Sequence, residues 1–164
     1  MWTEPKFWAL WLAVAAFMEF WSMLLHGQLW HGVLWLSHRS HHTPRTGPFE
    51  WNDIFAVFHA GVAIAAIMAG LEYRIWWSAA IGFGMTTFGL AYFVVHDGLI
   101  HGRLPVAFLA RLDGLRRIRN AHMVHHQREG GPYGLFLGPW ELRRSLAVTR
   151  ATSERTSPPA PEHP

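Results

Sequence analysis

Residues 26 to 42, HGQLWHGVLWLSHRSHH, carry five imidazoles at His26, His31, His38, His41 and His42. A second set, His96 and His101 followed by His122, His125 and His126, repeats the spacings in the same order: HxxxxH, a gap, then HxxHH. Ten of the twelve histidines fall in these two blocks, whereas an ordinary chain of this length carries about 3 or 4 in total. Neutral imidazole ligates zinc, iron, copper and nickel, and ten nitrogens suffice for two ions with about five each, leaving room for water, oxygen or substrate. The duplicated block favours two metals over one. With no cysteine in the chain, any metal is held by nitrogen and oxygen, and disulfides, thiolate sites and cysteine nucleophiles are excluded. Metal-buffering histidine tracts are low-complexity and exposed, whereas these histidines are spaced and interleaved with Trp and Leu.

Helix geometry says how such spacings can be used. Within HxxHH, positions i and i+3 share a face and i+4 lies about 100° further round, so one short helix can serve two neighbouring centres. In HxxxxH the two residues of an α-helix lie about 140° apart, which suits a helix end where ligands diverge. Spacing alone leaves open which histidine serves which ion.

The elements that must position these residues are written in the composition. Apolar residues make up 51% of the 164, aromatics 15% and charged residues only 15%, and the apolar positions come in long unbroken blocks, a membrane composition. The length suits one domain, expected over residues 1–146. Phe7 to Leu25 is an apolar run broken only by Glu19, and its ~1.5 Å per residue matches the hydrocarbon thickness. Glu4 near the amino end, Glu19 within the run and the lack of a small-x-small site argue for a span rather than a signal peptide. Thr43 to Asp53 holds Pro44, Gly47 and Pro48, which stop a helix, then Asn52 and Asp53, which cap the next. Ile54 to Leu71 and Ile75 to Val95 form a two-span hairpin whose recurring small residues allow close helix approach.

Three crossings place both histidine blocks on one side of the membrane. Up to residue 150, eleven of the thirteen Lys and Arg residues lie on that side, only Lys6 and Arg74 on the other, and the positive-inside rule makes the histidine side cytoplasmic. The formal charge of +3 is thereby explained by topology, and no nucleic-acid motif is present. Residues 103–119 mix apolar and basic positions after Pro105 and read as an interfacial helix. Residues 147–164, ending SPPAPEHP, are expected to be a disordered tail that includes His163. The fold class is therefore an all-α integral membrane protein of three or four transmembrane helices with a cytoplasmic-side, histidine-rich di-metal site.

Acids near the blocks are candidates for supporting roles. Glu19 lies seven residues before His26, on the same face, and an acid within a lipid span is costly unless paired or functional. It is expected to face the bundle interior, behind a ligand or along a substrate channel; Asp97, beside His96, and Asp53 are further such candidates. His59, alone on an apolar span, reads as a hydrogen-bonded packing residue.

These residues resemble a known family. The strings ME at Met18 and Glu19, LxHxxxxHG from Leu24 to Gly32, LSHRSHHTPRTGPFEWND from Leu36 to Asp53, VHDGLIHGR from Val95 to Arg103 and AHMVHH from Ala121 to His126 are similar to the histidine boxes of membrane hydroxylases and desaturases. They resemble most the bacterial and plant β-carotene 3-hydroxylases of the fatty acid hydroxylase superfamily; His59 has no counterpart there. The resemblance implies that the ten box histidines, His26, His31, His38, His41, His42, His96, His101, His122, His125 and His126, coordinate two iron ions. It implies O₂-dependent hydroxylation at C3 of the β-ionone rings, taking β-carotene through β-cryptoxanthin to zeaxanthin, and leaves open the same step on ring-ketone carotenoids, canthaxanthin toward astaxanthin. Electrons would come from a ferredoxin-type donor fed by NAD(P)H, and the setting would be a bacterial inner (cell) membrane. Zinc competes for imidazole sites and can occupy them in purified protein. Two other readings use the same boxes differently: a carotenoid ketolase or lipid or sterol hydroxylase, and, in another class, a membrane metal transporter or sensor.

Overall fold

The computed structural model describes residues 3–128 and 130–156, with 151–156 as backbone only. The described residues contain helices and no strand. Helix α1 (Pro5–Leu24) continues as a π-helical segment, Leu25–Val33, that kinks at Gly32, whose φ −102° and ψ −118° are not helical. A short α2 (Trp35–His38) and a 3₁₀ turn (Arg39–His42) follow, then α3 (Asp53–Glu72) and α4 (Trp76–Tyr92), itself extended by a second π-helical segment, Phe93–Ile100. A 3₁₀ turn at Ala107–Arg111 leads to α5 (Asp113–Gln127) and α6 (Gly138–Thr156).

Three helices, Pro5–Val33, Asp53–Glu72 and Trp76–Ile100, are long and apolar enough to cross a membrane. Their outward side chains, including Leu12, Phe17, Val57, Ile64, Met68 and Leu90, are exposed, as lipid-facing positions must be where tails replace water. Because lipid is as apolar as leucine, such helices associate through close packing and interhelical hydrogen bonds. Helix α4 lies against both α1 and α3, and small residues make the seams. A Cβ on Gly82 would sit 2.6 Å from the Ala63 carbonyl of α3, and one on Gly84 would sit 2.8 Å from the Trp11 carbonyl of α1. Two polar ties cross the same seams: Ser78 Oγ donates to the Ala66 carbonyl and Trp11 Nε1 to Thr87 Oγ1, each at 2.8 Å.

Spans one and three run in the same direction, so their π-helical ends come side by side. An apolar cluster, Val95, Ile100 and Leu135 with Leu115, Ile118, Met123 and Phe136 around it, seats α5 and the 132–137 loop on the end of the third span.

Three expectations need correction. The basic segment does not start a helix at Pro105: the chain makes a 3₁₀ turn, Leu112 is extended, and α5 begins at Asp113, whose acidic side chain suits a helix N-terminus. That helix runs on to carry His122, His125 and His126, so the basic stretch and the second HxxHH box form one element. The tail expected to be disordered from residue 147 is helical to Thr156; residues 157–164, with His163, lie outside the described residues.

Candidate metal centre

The π-helical segments make the HxxxxH pairs converge. With i→i+5 hydrogen bonding and roughly 4.4 residues per turn, residues five apart fall within about 50° of each other instead of 140°. The His101 N–H donates to the His96 carbonyl at 3.0 Å, and Leu34 N–H to the Leu29 carbonyl at 2.8 Å, both five residues apart. His26 and His31 consequently have ring centroids 5.1 Å apart, and His96 and His101 4.7 Å. The divergence expected from α-helical winding is thus corrected.

The HxxHH boxes each divide between two centres. One nitrogen from each of His26, His31, His38, His42 and His125 lies within 4.8 Å of all the others, and the same holds for His41, His96, His101 and His122. His126 joins the second group, its Nε2 2.9 Å from that of His122. Each box therefore keeps its first and last histidines beside its own HxxxxH pair and sends its middle one, His41 or His125, across to the other group. Positions i and i+4, about 40° apart on a helix, stay together and i+3 crosses, which corrects the expected pairing of i with i+3. The groups touch: His42 of the first is 4.3 Å from His126 of the second, centroid to centroid. All ten box histidines are thus in one place. His59 is elsewhere, its Nδ1 donating to the Phe55 carbonyl and its Nε2 accepting from Trp21 Nε1.

Oxygen partners on the outer ring nitrogens set the tautomers. His26 Nδ1 donates to the Tyr133 carbonyl at 2.9 Å, His38 Nδ1 to Asn52 Oδ1 at 2.7 Å and His125 Nδ1 to the Gly130 carbonyl at 3.0 Å. In the second group His96 Nδ1 faces Asp97 Oδ2 at 3.2 Å and His41 Nδ1 faces Glu50 Oε2 at 3.4 Å. A proton held on Nδ1 leaves Nε2 with a lone pair. Yet the Nε2 atoms of His26 and His38 stand 3.1 Å apart, those of His38 and His42 3.2 Å, and those of His31 and His125 3.1 Å. Two lone pairs repel at that distance unless a cation lies between them. Ligands about 2.1 Å from a shared ion would be separated by about 3.0 Å at right angles and 3.4 Å at tetrahedral angles. His41 Nε2 is buried with no hydrogen-bond partner, as a ligand nitrogen would be. The donor set fits a pair of metal ions.

Burial keeps these rings neutral, the form that binds metal. Outside the spans, desolvation and then neighbouring imidazoles lower His42, His101 and His126 to about 3. Desolvation lowers His38 to about 4 against the opposing bond from Asn52, and lowers His125 against the Gly130 carbonyl. His41 and His122 are pushed well below the ordinary range by burial and by the imidazoles of the second group.

Among the acids, Asp97 touches His96 directly, whereas Asp53 and Glu19 touch no histidine. Asp53 holds Arg103 at 2.7 and 3.1 Å. Buried Glu19 accepts the Leu137 N–H at 2.9 Å, so it anchors the loop whose Tyr133 carbonyl orients His26 rather than standing behind a ligand itself. Five supports were not legible as such: Glu50, Asn52, Arg103 and the Tyr133 and Gly130 carbonyls. The first three sit inside the motif strings, and Asn52, expected as a helix cap, makes no side-chain cap bond to α3 and holds His38 instead. Gly27 has a similar supporting place, since a Cβ there would meet the Tyr133 ring at 2.9 Å.

A cavity of about 590 Å³ opens beside the first group, between Trp35, Tyr133 and the rings of His31, His42, His125 and His126.

Comparison with known proteins agrees with this geometry. The chain is 48% identical over 141 residues to beta-carotene hydroxylase 2 of Capsicum annuum, covering 82% of this chain and 45% of that protein. Beta-carotene 3-hydroxylase 1 of Arabidopsis thaliana matches equally, and the beta-carotene hydroxylase of Pseudescherichia vulneris is 49% identical over 113 residues, 69% of this chain and 64% of that one. The chain spans about half the length of the chloroplastic relatives it matches. No solved structure matches. Residues 11–142, from the first span to the start of α6, match the fatty acid hydroxylase family, and with both histidine groups inside that region the chain belongs to the fatty acid hydroxylase family.

Proposed function

We propose that the chain is a membrane monooxygenase that hydroxylates C3 of each β-ionone ring of β-carotene, through β-cryptoxanthin to zeaxanthin, at two iron ions held by the ten box histidines. The observation that carries this reading is the pair of facing imidazole groups with inward Nε2 atoms, in a chain about 48% identical to named β-carotene hydroxylases. Bound iron supplies the oxidising power: O₂, two electrons and two protons convert a C–H bond to C–OH and release one water.

The protein's own part is placement. His26, His31, His38, His42 and His125 are assigned to one ion, and His41, His96, His101, His122 and His126 to the other. Tyr133, Asn52, Gly130, Asp97 and Glu50 keep the ring protons on Nδ1 and so keep Nε2 available. The cavity walled by Trp35 and Tyr133 holds the end ring against the first group, with the polyene reaching it from the lipid between the spans. The histidine face lies at the cytoplasmic side of a bacterial inner membrane, because eleven of thirteen basic residues up to residue 150 lie there. An acidic, ferredoxin-type carrier docks on that basic face and delivers the electrons.

Pigment chromatography of β-carotene-accumulating cells tests the reading. Wild type should yield zeaxanthin and His38→Ala should leave β-carotene unchanged. Canthaxanthin, or unchanged β-carotene with well-expressed wild type, would refute it.

A further inference from the structure

The two histidine groups differ in what stands behind them. Among the described residues, every oxygen bonded to an outer ring nitrogen of the first group is neutral: the Tyr133 and Gly130 carbonyls and the Asn52 amide. Behind the second group the partners are carboxylates, Asp97 on His96 and Glu50 on His41. These belong to a compact charge cluster. Arg103 contacts Asp53 Oδ1 at 2.7 Å, Asp97 Oδ1 at 3.1 Å and Glu50 Oε1 at 3.4 Å, and the Glu50 N–H donates to Asp53 Oδ2 at 2.9 Å. One guanidinium therefore fixes three carboxylates, from the loop before α3, the first residue of α3 and the π-helical segment after α4, and two of those carboxylates aim their other oxygen at a ring nitrogen. On the first side the nearby acid Glu141 is bonded instead to the Gly134 N–H.

An imidazole donating to a carboxylate is a stronger base at its other nitrogen than one donating to a carbonyl. Counting Arg45, whose charge also reaches His101, three carboxylates against two guanidiniums still leave net negative charge beside the second group, which attracts a cation. We infer that the Glu50–Asp53–Asp97–Arg103 cluster makes the two metal positions unequal, so that the His41, His96, His101, His122 and His126 position retains its metal more tightly than the position beside the cavity. The inference rests on the two-metal reading above. Arg103 acts as a positioning residue: it reaches no histidine itself and orients Asp97 and Glu50, which do.

Cobalt(II) titration of the detergent-solubilised, metal-free full chain against a competing chelator tests it, with visible absorption reporting imidazole ligation. Wild type should bind two Co²⁺ with affinities at least about tenfold apart, and His101→Ala should remove the tighter class. Asp97→Asn should weaken the tighter class by about 10–100-fold, as is usual for such partners, and leave the weaker class within about threefold. Asn52→Asp, which puts a carboxylate behind His38, should tighten the weaker class by about tenfold and narrow the gap. Far-UV circular dichroism checks that each variant folds, and the Asn52→Asp result stands independently should Asp97→Asn misfold. Two equal affinities in wild type, or loss in Asp97→Asn confined to the weaker class, would overturn the inequality and leave the two-metal centre standing. Fewer than two equivalents bound would overturn both.

Discussion

At the scale of single residues, the centre depends on keeping ten imidazoles neutral and correctly protonated. An imidazole held near 3 or 4 in the folded chain, against an ordinary 6.5, takes up protons far more readily when unfolded. Without metal, the stability of the fold is therefore full above about pH 6.5 and is lost progressively as pH falls toward 4. Thermal unfolding of the metal-free protein in detergent should show this as a midpoint that is flat from pH 8 to 7 and drops steadily from pH 6 to 4. A midpoint unchanged across that range would mean the rings are solvated rather than buried. The clustered histidines themselves were legible from spacing and count. Their partners were less so, because Asn52 reads as a helix cap and Arg103 as one more interfacial cation until the fold brings Asp53, fifty positions earlier, within 2.7 Å of its guanidinium.

At the scale of elements, the π-helical ends of α1 and α4 decide whether a HxxxxH pair can share an ion. An α-helix would satisfy the same need with four-residue spacing, since i and i+4 lie about 40° apart. Deleting exposed Gln28 between His26 and His31 should convert the π-helical turn to an α-helical one and keep both rings on one face. That variant should retain at least half of the metal bound by wild type, whereas one residue inserted at the same place should lose the first group's ion. Metal stoichiometry of the two purified proteins separates the cases, and equal loss in both would show that the π winding is incidental. Hydropathy marked the three spans to within about two residues at most ends, because a lipid-facing helix is apolar nearly all round. It could not mark the switch from α to π winding, whose periodicity differs by less than one residue per turn over nine residues or fewer.

For the whole molecule, three crossings and a shared end for spans one and three define which surface meets which compartment. The chain has no cysteine, so single-cysteine variants report topology without background. Thr46→Cys, in the loop after the first histidine box, should be labelled by a membrane-impermeant maleimide only in inverted vesicles. Tyr73→Cys, exposed at the α3–α4 turn, should be labelled only from the outside of intact cells. Labelling of both from the same side would contradict three spans. Composition, run length and the twice-written histidine pattern were enough to establish helical spans and a shared histidine face, because each depends on residue type and on order along the chain. Only the tertiary structure decided that His41 and His125 cross between groups, that π winding makes the HxxxxH rings converge, and that, among the described residues, carboxylates contact ring nitrogens of the second group alone. Those outcomes depend on contacts between residues as far apart as His26 and Tyr133, which local spacing does not encode and which packing of the spans brings into register.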